Sequence, residues 1–345
     1  MMKIIIFSLV IVLGFYLIFK TNTPTIGSVW TPFFPKDMSH IFAGLPIIIF
    51  SYIGFDALST MGEESKNPQR DLPRAMFYAL IISAVIYLLV VLVVSGTHLA
   101  KGQHLSVIFE KDFPTIATII DITALIAMFG VLISFTLGQP RILLAMSRDG
   151  LLPAYFAKIH PKTKVPMLST ILTGLLVAIP CLFMNKNDVV ELTSAGTLVA
   201  FMLVAVSVIV LQINGKHTFK FKIPYAPACW FLIPLSILYY YYAFSNGSYS
   251  DTYGLFPKYQ CFFAQEAAYK YPLISLILFN LILMGLNMLS FIRRLSLIPT
   301  IALISCAYCL CWVETVGMIR LIVFLFIGLV VYFAYGFRKN AKHKS

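Results

Sequence analysis

Ten apolar segments limit this chain to a helical membrane protein more strictly than any other feature of its sequence. Each segment is close to the ~20 residues that a helix needs to cross a bilayer. Of the 345 residues, 59% are hydrophobic and only 12% are charged, which is unlike a soluble domain. We predict an all-α integral membrane protein in contact with the lipid bilayer, with about ten transmembrane helices at residues 3–19, 41–61, 75–97, 115–140, 167–184, 193–213, 228–245, 272–291, 299–314 and 318–337.

The positive charges predict the orientation of these helices. If the loops alternate between the two sides, 18 of the 26 Lys and Arg residues fall on one side and 8 on the other. Lys and Arg accumulate in cytoplasmic loops, so both termini are predicted to be cytoplasmic. Because the basic residues are spread over several loops and both tails, they form no nucleic-acid patch.

The sequence gives no indication of an enzyme or of a cofactor. It has no HExxH or GxGD motif, and none of its six His residues has a second metal ligand at helical spacing inside an apolar segment. The six Cys residues do not form two CxxC motifs, which a metal site of that kind would need, and they fall mostly in or beside apolar segments. We therefore predict no catalytic residue, no metal and no cofactor.

The second apolar segment contains Gly54 and Asp56, two residues that are costly in a helix facing lipid. An ionised acid at membrane depth costs at least about 2.5 kcal/mol on insertion scales. One explanation is a broken helix, whose unwound backbone lines a protein cavity and binds a substrate. The other is that Gly54 permits close helix packing and Asp56 pairs with a basic residue. Composition and spacing leave both open.

Four stretches of the sequence resemble one family, the amino acid–polyamine–organocation permeases, in particular the cationic amino acid transporter branch. They occur in the family's order and cover roughly residues 1–240. The first two resemble the sixth span with its loop and the end of the eighth span. The others resemble the tenth span and the entry to the eleventh. The stretches are SYIGFDALSTMGEESKNPQRDLPR (51–74), LGQPRILLAMSRDGLLPAYFAKIHPKTKVP (137–166), ELTSAGTLVAFMLV (191–204) and FKIPYAPACWFLIP (221–234).

This resemblance implies a LeuT-type fold of two inverted five-helix repeats, with the substrate bound where helices unwind. Residues 1–19 then resemble the fifth span, 41–213 spans six to ten, and 228–337 spans eleven to fourteen, within one permease-type domain over 1–345. The implied broken helix is the second of this chain. The implied substrate-binding residues are Phe50 as an aromatic lid, the backbone of Ser51, Ile53, Gly54 and Phe55, and on the eighth span Ser134 and Phe135.

For Phe50 the alternative is an ordinary apolar wall, and for Ser134 and Phe135 it is helical packing. Ser134 and Phe135 are expected to lie one to two turns before a helix break at Gly138, Gln139 and Pro140.

Further residues are implied in gating, coupling and the cytoplasmic loops. Asp56 is a candidate for gating or proton linkage. Lys3 is a candidate for the lysine that replaces a sodium ion in some relatives, or else a simple cytoplasmic flank. The remaining residues are assigned to the end of the broken helix with its cytoplasmic turn, or to the inner loop: Glu63, Glu64, Asn67, Pro68 and Asp71 for the former, Arg148 and Asp149 for the latter.

The first four spans of the family have no counterpart in the sequence. The resemblance implies a secondary active amino acid transporter working by alternating access, truncated or split, in the plasma membrane. A separate chain would supply the missing spans, and protons would be candidate coupling ions. We expect that the chain does not transport alone. The substrate would be an amino acid, with a lean toward cationic side chains. The alternative is a non-transporting membrane remnant or an interaction protein.

Overall fold

A computed structural model describes residues 2–20, 44–55, 58, 67–97, 103–161, 165–213, 227–245, 273–293 and 295–333. Within them the chain is helical, with one isolated antiparallel backbone pair between Pro227 and Ser296. This confirms the predicted all-α class. The helices are α1 Met2–Lys20, α2 Leu45–Tyr52, α3 Pro68–Gly96, α4 Val107–Glu110, α5 Pro114–Arg148, α6 Met167–Phe183, α7 Lys186–Ile213, α8 Cys229–Ser245, α9 Leu273–Arg293, α10 Leu297–Leu310 and α11 Thr315–Val331.

Ten of these helices overlap the ten predicted spans, and the short α4 is additional. By length and composition, α3, α5 and α7 are apolar enough to cross a membrane, and six shorter helices are also apolar. The side chains of α3 and α5 are exposed over most of their circumference. In a soluble protein such faces would aggregate, so they belong in a bilayer or against other helices. The chain is a membrane protein.

The chain divides into two compact units. The first comprises residues 1–34, 54–179 and 335–345, and the second comprises 35–53 and 180–334. The division falls between Ile53 and Gly54, directly after α2, and again between Ile179 and Pro180 within α6. Each unit has its own buried apolar clusters.

In the first unit, α1 packs on α3 and α5. Val10, Leu17, Phe109, Ala117 and Ile120 form its buried cluster. Gly14 permits a close approach, because a Cβ at this position would lie only 2.2 Å from Cγ1 of Val93. Helix α1 can therefore reach α3 only because residue 14 has no side chain.

In the second unit, α7 is the central helix and packs on α2, α10 and α11. Ala195 and Leu198 of α7 share a buried cluster with Leu310, Val313 and Leu321. Hydrogen bonds between side chains join α8 to α9, from Tyr239 to Asn280 and from Ser236 to Asn287. Such bonds across helices are common where no water competes.

Each unit has contacts between helix ends that are remote in sequence. In the first unit Lys20 pairs with Asp112 at 3.5 Å, and in the second Arg320 pairs with Asp188 at 2.9 Å. In the second unit the amide of Ala228 also donates to the carbonyl of Leu295.

Candidate substrate site

The candidate site begins where α2 ends. This helix has only eight residues, Leu45–Tyr52, and at 1.5 Å per residue it spans about 12 Å, too little to cross ~30 Å of hydrocarbon. After it, the amide of Ile53 donates to the carbonyl of Phe50 at 3.2 Å. Gly54 then has a φ of 124°, a conformation that residues with a Cβ rarely adopt. Helix α2 therefore ends inside the second predicted span, at the position where the resemblance implied a break.

The residues on either side of this break belong to different units. In the second unit, Phe50 has 39% of its surface exposed and Ile53 is half-buried. The hydroxyl of Ser51 donates to the carbonyl of Ile47 at 3.1 Å, so this side chain is used within its own helix. If Ser51 takes part in a substrate site, it would do so through its backbone, as the resemblance implied.

In the first unit, Phe135 of α5 lies beside the break. A Cβ placed on Gly54 would be 3.8 Å from Cζ of Phe135, an ordinary van der Waals distance. Phe55 follows Gly54, and its carbonyl accepts the amide of Leu58 at 3.3 Å. The structure thus brings together Gly54 and Phe135, two of the residues that the sequence predicted, although they are 81 positions apart in the chain.

Ser134, by contrast, donates its hydroxyl to the carbonyl of Gly130 at 2.8 Å. This is the usual way in which a hydroxyl is satisfied within its own helix. Neighbouring residues on a helix point in directions about 100° apart, so the contact made by Phe135 does not extend to Ser134. This bond agrees with the packing alternative for Ser134.

The predicted break at Gly138, Gln139 and Pro140 is wrong. Helix α5 runs without interruption from Pro114 to Arg148 and contains Pro140 in its interior. Proline within a membrane helix is tolerated when neighbouring groups satisfy the freed carbonyl. The helix ends instead at Arg148, and Gly150, two residues later, has a φ of 78°. There the amide of Gly150 donates to Ser147 and that of Leu151 to Met146, the pattern of a Schellman motif.

Two assignments of loop residues also change. Asn67 is the N-cap of α3, and Pro68 and Asp71 lie in its first turn, so they start the next helix and do not end the broken one. Proline is favoured at the first position of a helix, and an acid there suits the helix dipole. Arg148 is the last residue of α5, not a loop residue, and Asp149 caps that helix end.

The remaining predicted residues are not described. Asp56, Glu63 and Glu64 lie outside the described residues, as does the side chain of Lys3, whose backbone is in α1. Among the residues that the structure does describe, no three His, Cys, Asp or Glu side chains are grouped to hold a metal ion.

One contact near the site was missed by sequence reasoning. Ser194 of α7 is fully buried, and its hydroxyl lies 2.8 Å from the carbonyl of Pro46 in the first turn of α2. Ser194 lies within the stretch that resembles the tenth span, but its partner is 148 residues away. No local signal identifies such a pair.

These features define a helical membrane protein with a broken helix near its start. The amino acid permease family profile matches residues 1–263. The chain therefore belongs to the amino acid permease family, which confirms the resemblance.

Three curated relatives show how widely the family varies. The vacuolar cationic amino acid transporter 4 of Arabidopsis thaliana is 41% identical over 59% of this chain and 34% of its own length. The methylthioribose transporter of Bacillus subtilis is 36% identical over 66% and 49%. The branched-chain amino acid permease BcaP of B. subtilis is 35% identical over 53% and 41%. All three are named as transporters or permeases, and none as an enzyme.

The matched region thus spans between a third and a half of the length of these relatives. No solved structure is significantly similar to the chain.

Proposed function

We propose that this chain carries one side of the substrate site of a secondary amino acid transporter that works by alternating access. The observation that carries the proposal is the end of α2 at Tyr52, followed by Gly54 with a φ of 124°. The C-terminal end of a helix carries partial negative charge, which suits the ammonium group of an amino acid.

Phe50 is the proposed aromatic lid, and Phe135 of α5 is a proposed substrate-binding residue. Both are partly exposed, at 39% and 44%, and Phe135 lies next to the break at Gly54. Ser51, Ile53, Gly54 and Phe55 would contribute backbone groups. Asp56 is the proposed gating or proton-linked acid, with Lys3 as a second candidate for coupling.

An amino acid is the proposed substrate, because the chain belongs to the permease family. The names of the relatives include cationic amino acids, branched-chain amino acids and methylthioribose. We therefore propose a cationic amino acid first and treat the others as competing substrates in the same assay.

The second part of the proposal is that the substrate site needs the family's first four spans in addition to these 345 residues. In proteoliposomes, we expect no uptake of labelled arginine, lysine, leucine or methylthioribose by the 345-residue chain alone. Uptake of one of them should appear when a segment with the family's first four spans is reconstituted together with it. A Gly54→Ala variant of the same assembly is the control for a site at the break.

Each outcome of this assay has a distinct meaning. Uptake by the chain alone would contradict the need for a second segment. Absence of uptake from the assembly, with both segments inserted, would favour the alternative of a non-transporting membrane protein.

For orientation, we propose cytoplasmic termini and a plasma-membrane location, supported by the bias of 18 to 8 in basic residues between the two sides. A fluorescent protein fused after Ser345 should remain fluorescent, whereas alkaline phosphatase at the same position should be inactive. The opposite result would invert the topology.

A further inference from the structure

The start of α2 is held by α7 through a buried hydrogen bond. The hydroxyl of Ser194 lies 2.8 Å from the carbonyl of Pro46, and equally 2.8 Å from the carbonyl of Val190 in its own helix. Ser194 has no exposed surface. A hydroxyl in such a place costs free energy unless it is hydrogen-bonded, and here its single proton is shared between Val190 of the same helix and Pro46 of α2, which is remote in sequence.

Apolar packing reinforces this bond one turn further along α2. Ile49 packs against the buried cluster that contains Ala195 and Leu198 of α7. Pro46 and Ile49 are three residues apart and so lie on the same face of α2. This face contacts α7, and Ile49 directly precedes Phe50 in the sequence.

Helix α7 is itself fixed at its N-terminal end to α11. The carboxylate of Glu191 accepts the backbone amide of Glu314, the N-cap of α11. Gly317 makes room for it, since a Cβ there would lie 2.7 Å from Cδ of Glu191. The ion pair between Arg320 and Asp188, at 2.9 Å, lies on the same two helices.

Glu191 and Ser194 lie on one face of α7, because they are three residues apart. One contacts α11 and the other contacts α2. We propose that these two residues form a positioning face, in which Glu191 fixes α7 to α11 and Ser194 fixes the first turn of α2. Neither is proposed to touch substrate.

The reason for such a device lies in the length of α2. Helices shorter than about 12 residues are marginal on their own, and α2 has eight. The position of its last turn, with Phe50 and Ser51, therefore depends on what holds its first turn. That the position of the last turn matters for substrate binding rests on the proposed function, whereas the hydrogen bond between Ser194 and Pro46 does not.

The test is amide hydrogen exchange of the full chain in lipid nanodiscs. For Ser194→Ala we expect exchange in residues 45–53 to accelerate about threefold to tenfold, as loss of one hydrogen bond between membrane helices implies. Exchange in α8 and α9 should stay unchanged. Ser194→Thr, which keeps the hydroxyl, should return exchange to near the wild-type rate.

Ser207→Ala is the matched control, because the hydroxyl of Ser207 donates to the carbonyl of Leu203 within the same helix. It should leave residues 45–53 unchanged. Ile49→Ala is a second variant for the case that Ser194→Ala does not fold, and it should accelerate the same segment.

Glu191→Ala should accelerate exchange most at residues 314–318 and to a smaller extent at 45–53. Glu191→Gln keeps an acceptor oxygen, so it should accelerate exchange in both segments less than Glu191→Ala does. The proposal is overturned if neither Ser194→Ala nor Ile49→Ala changes residues 45–53. It is also overturned if Ser207→Ala accelerates them equally, or if exchange rises uniformly along the chain. None of these measurements needs a substrate, so an assembly that transports no amino acid would contradict the proposed function and leave this test intact.

Discussion

The end of α2 and the middle of α5 both carry residues that disfavour helix, yet only one of them breaks. At the end of α2 a single glycine, Gly54, adopts a positive φ and the helix stops. In α5, Gly138 and Pro140 stand two residues apart and the helix continues to Arg148. A proline, the stronger breaker in soluble helices, is therefore the weaker one here.

The difference shows that a helix ends where its last carbonyls find partners. Around Gly150 the amides of Gly150 and Leu151 close back onto the last turn of α5. At Pro140 the helix continues and lacks only the backbone hydrogen bond that the missing amide of proline would donate. At the end of α2 the backbone leaves the helix at Ile53, whose ψ is 132°, and Gly54 follows with a positive φ beside Phe135.

The largest effect is expected from substituting Gly54. Gly54→Ala should lower the free energy of unfolding by about 1–3 kcal/mol, the cost of a strained φ, and should weaken amino acid binding. The cause is backbone strain and not a clash, because the added Cβ would have 3.8 Å to Phe135.

The matched control for this prediction is Gly138→Ala. Nothing lies within 4 Å of a Cβ at Gly138, so alanine should raise stability there by ~0.5–1 kcal/mol. Thermal unfolding in detergent compares the two variants. Equal changes in both would mean that Gly54 is helical in the bilayer.

A smaller effect is expected from removing the ring that packs beside the break. Phe135→Ala should lower the free energy of unfolding by about 1–2 kcal/mol and weaken substrate binding. Phe129, which is 65% exposed on the same helix, is the control, and Phe129→Ala should change both much less. If the two variants bind amino acid equally well, Phe135 is part of the helix surface and not of the site.

Pro140→Ala should have a modest and opposite effect. The new amide can donate to the carbonyl of Thr136, four residues earlier, which should raise stability by on the order of 1 kcal/mol. Uptake by the assembled transporter should be retained. A loss of uptake in a variant that still folds would show that α5 works through a local opening at Pro140.

The smallest effect is expected at Ser134. Its hydroxyl bonds to Gly130 in the same helix, so Ser134→Ala should change stability by less than about 0.5 kcal/mol and leave the affinity for amino acid unchanged. Equilibrium binding of labelled amino acid checks this. A tenfold loss of affinity would place Ser134 in the substrate site.

The sequence predicted those parts of the fold that depend on local chemistry. Apolar length located ten helices to within a few residues at most ends. Gly54 and Asp56 by themselves left open whether the second one is broken, and the resemblance to the permease family implied the break. The end of α5 was misjudged because Gly138 and Pro140 have low helix propensity. Where a helix ends also depends on hydrogen bonds at its last turn, which propensity does not describe.

The missed contacts share a physical reason. The bonds from Ser194 to Pro46 and from Glu191 to Glu314 join residues more than a hundred positions apart. Such pairs are chosen by helix packing, and each residue by itself looks like an ordinary member of an apolar or capped helix. The contact of Phe135 with the break could be anticipated only through the resemblance to the permease family.

The central claim is that the chain unwinds at Gly54, not at Gly138, and binds amino acid there. Solid-state NMR of the chain with ¹³C-labelled glycine tests it, in bilayers that also hold the four-span segment, with Gly54→Ala and Gly138→Ala for assignment. We predict a helical Cα shift for Gly138, a non-helical shift for Gly54, and a change at Gly54 alone when the transported amino acid is added. Helical shifts at both glycines, or a response to amino acid at neither, would contradict the account.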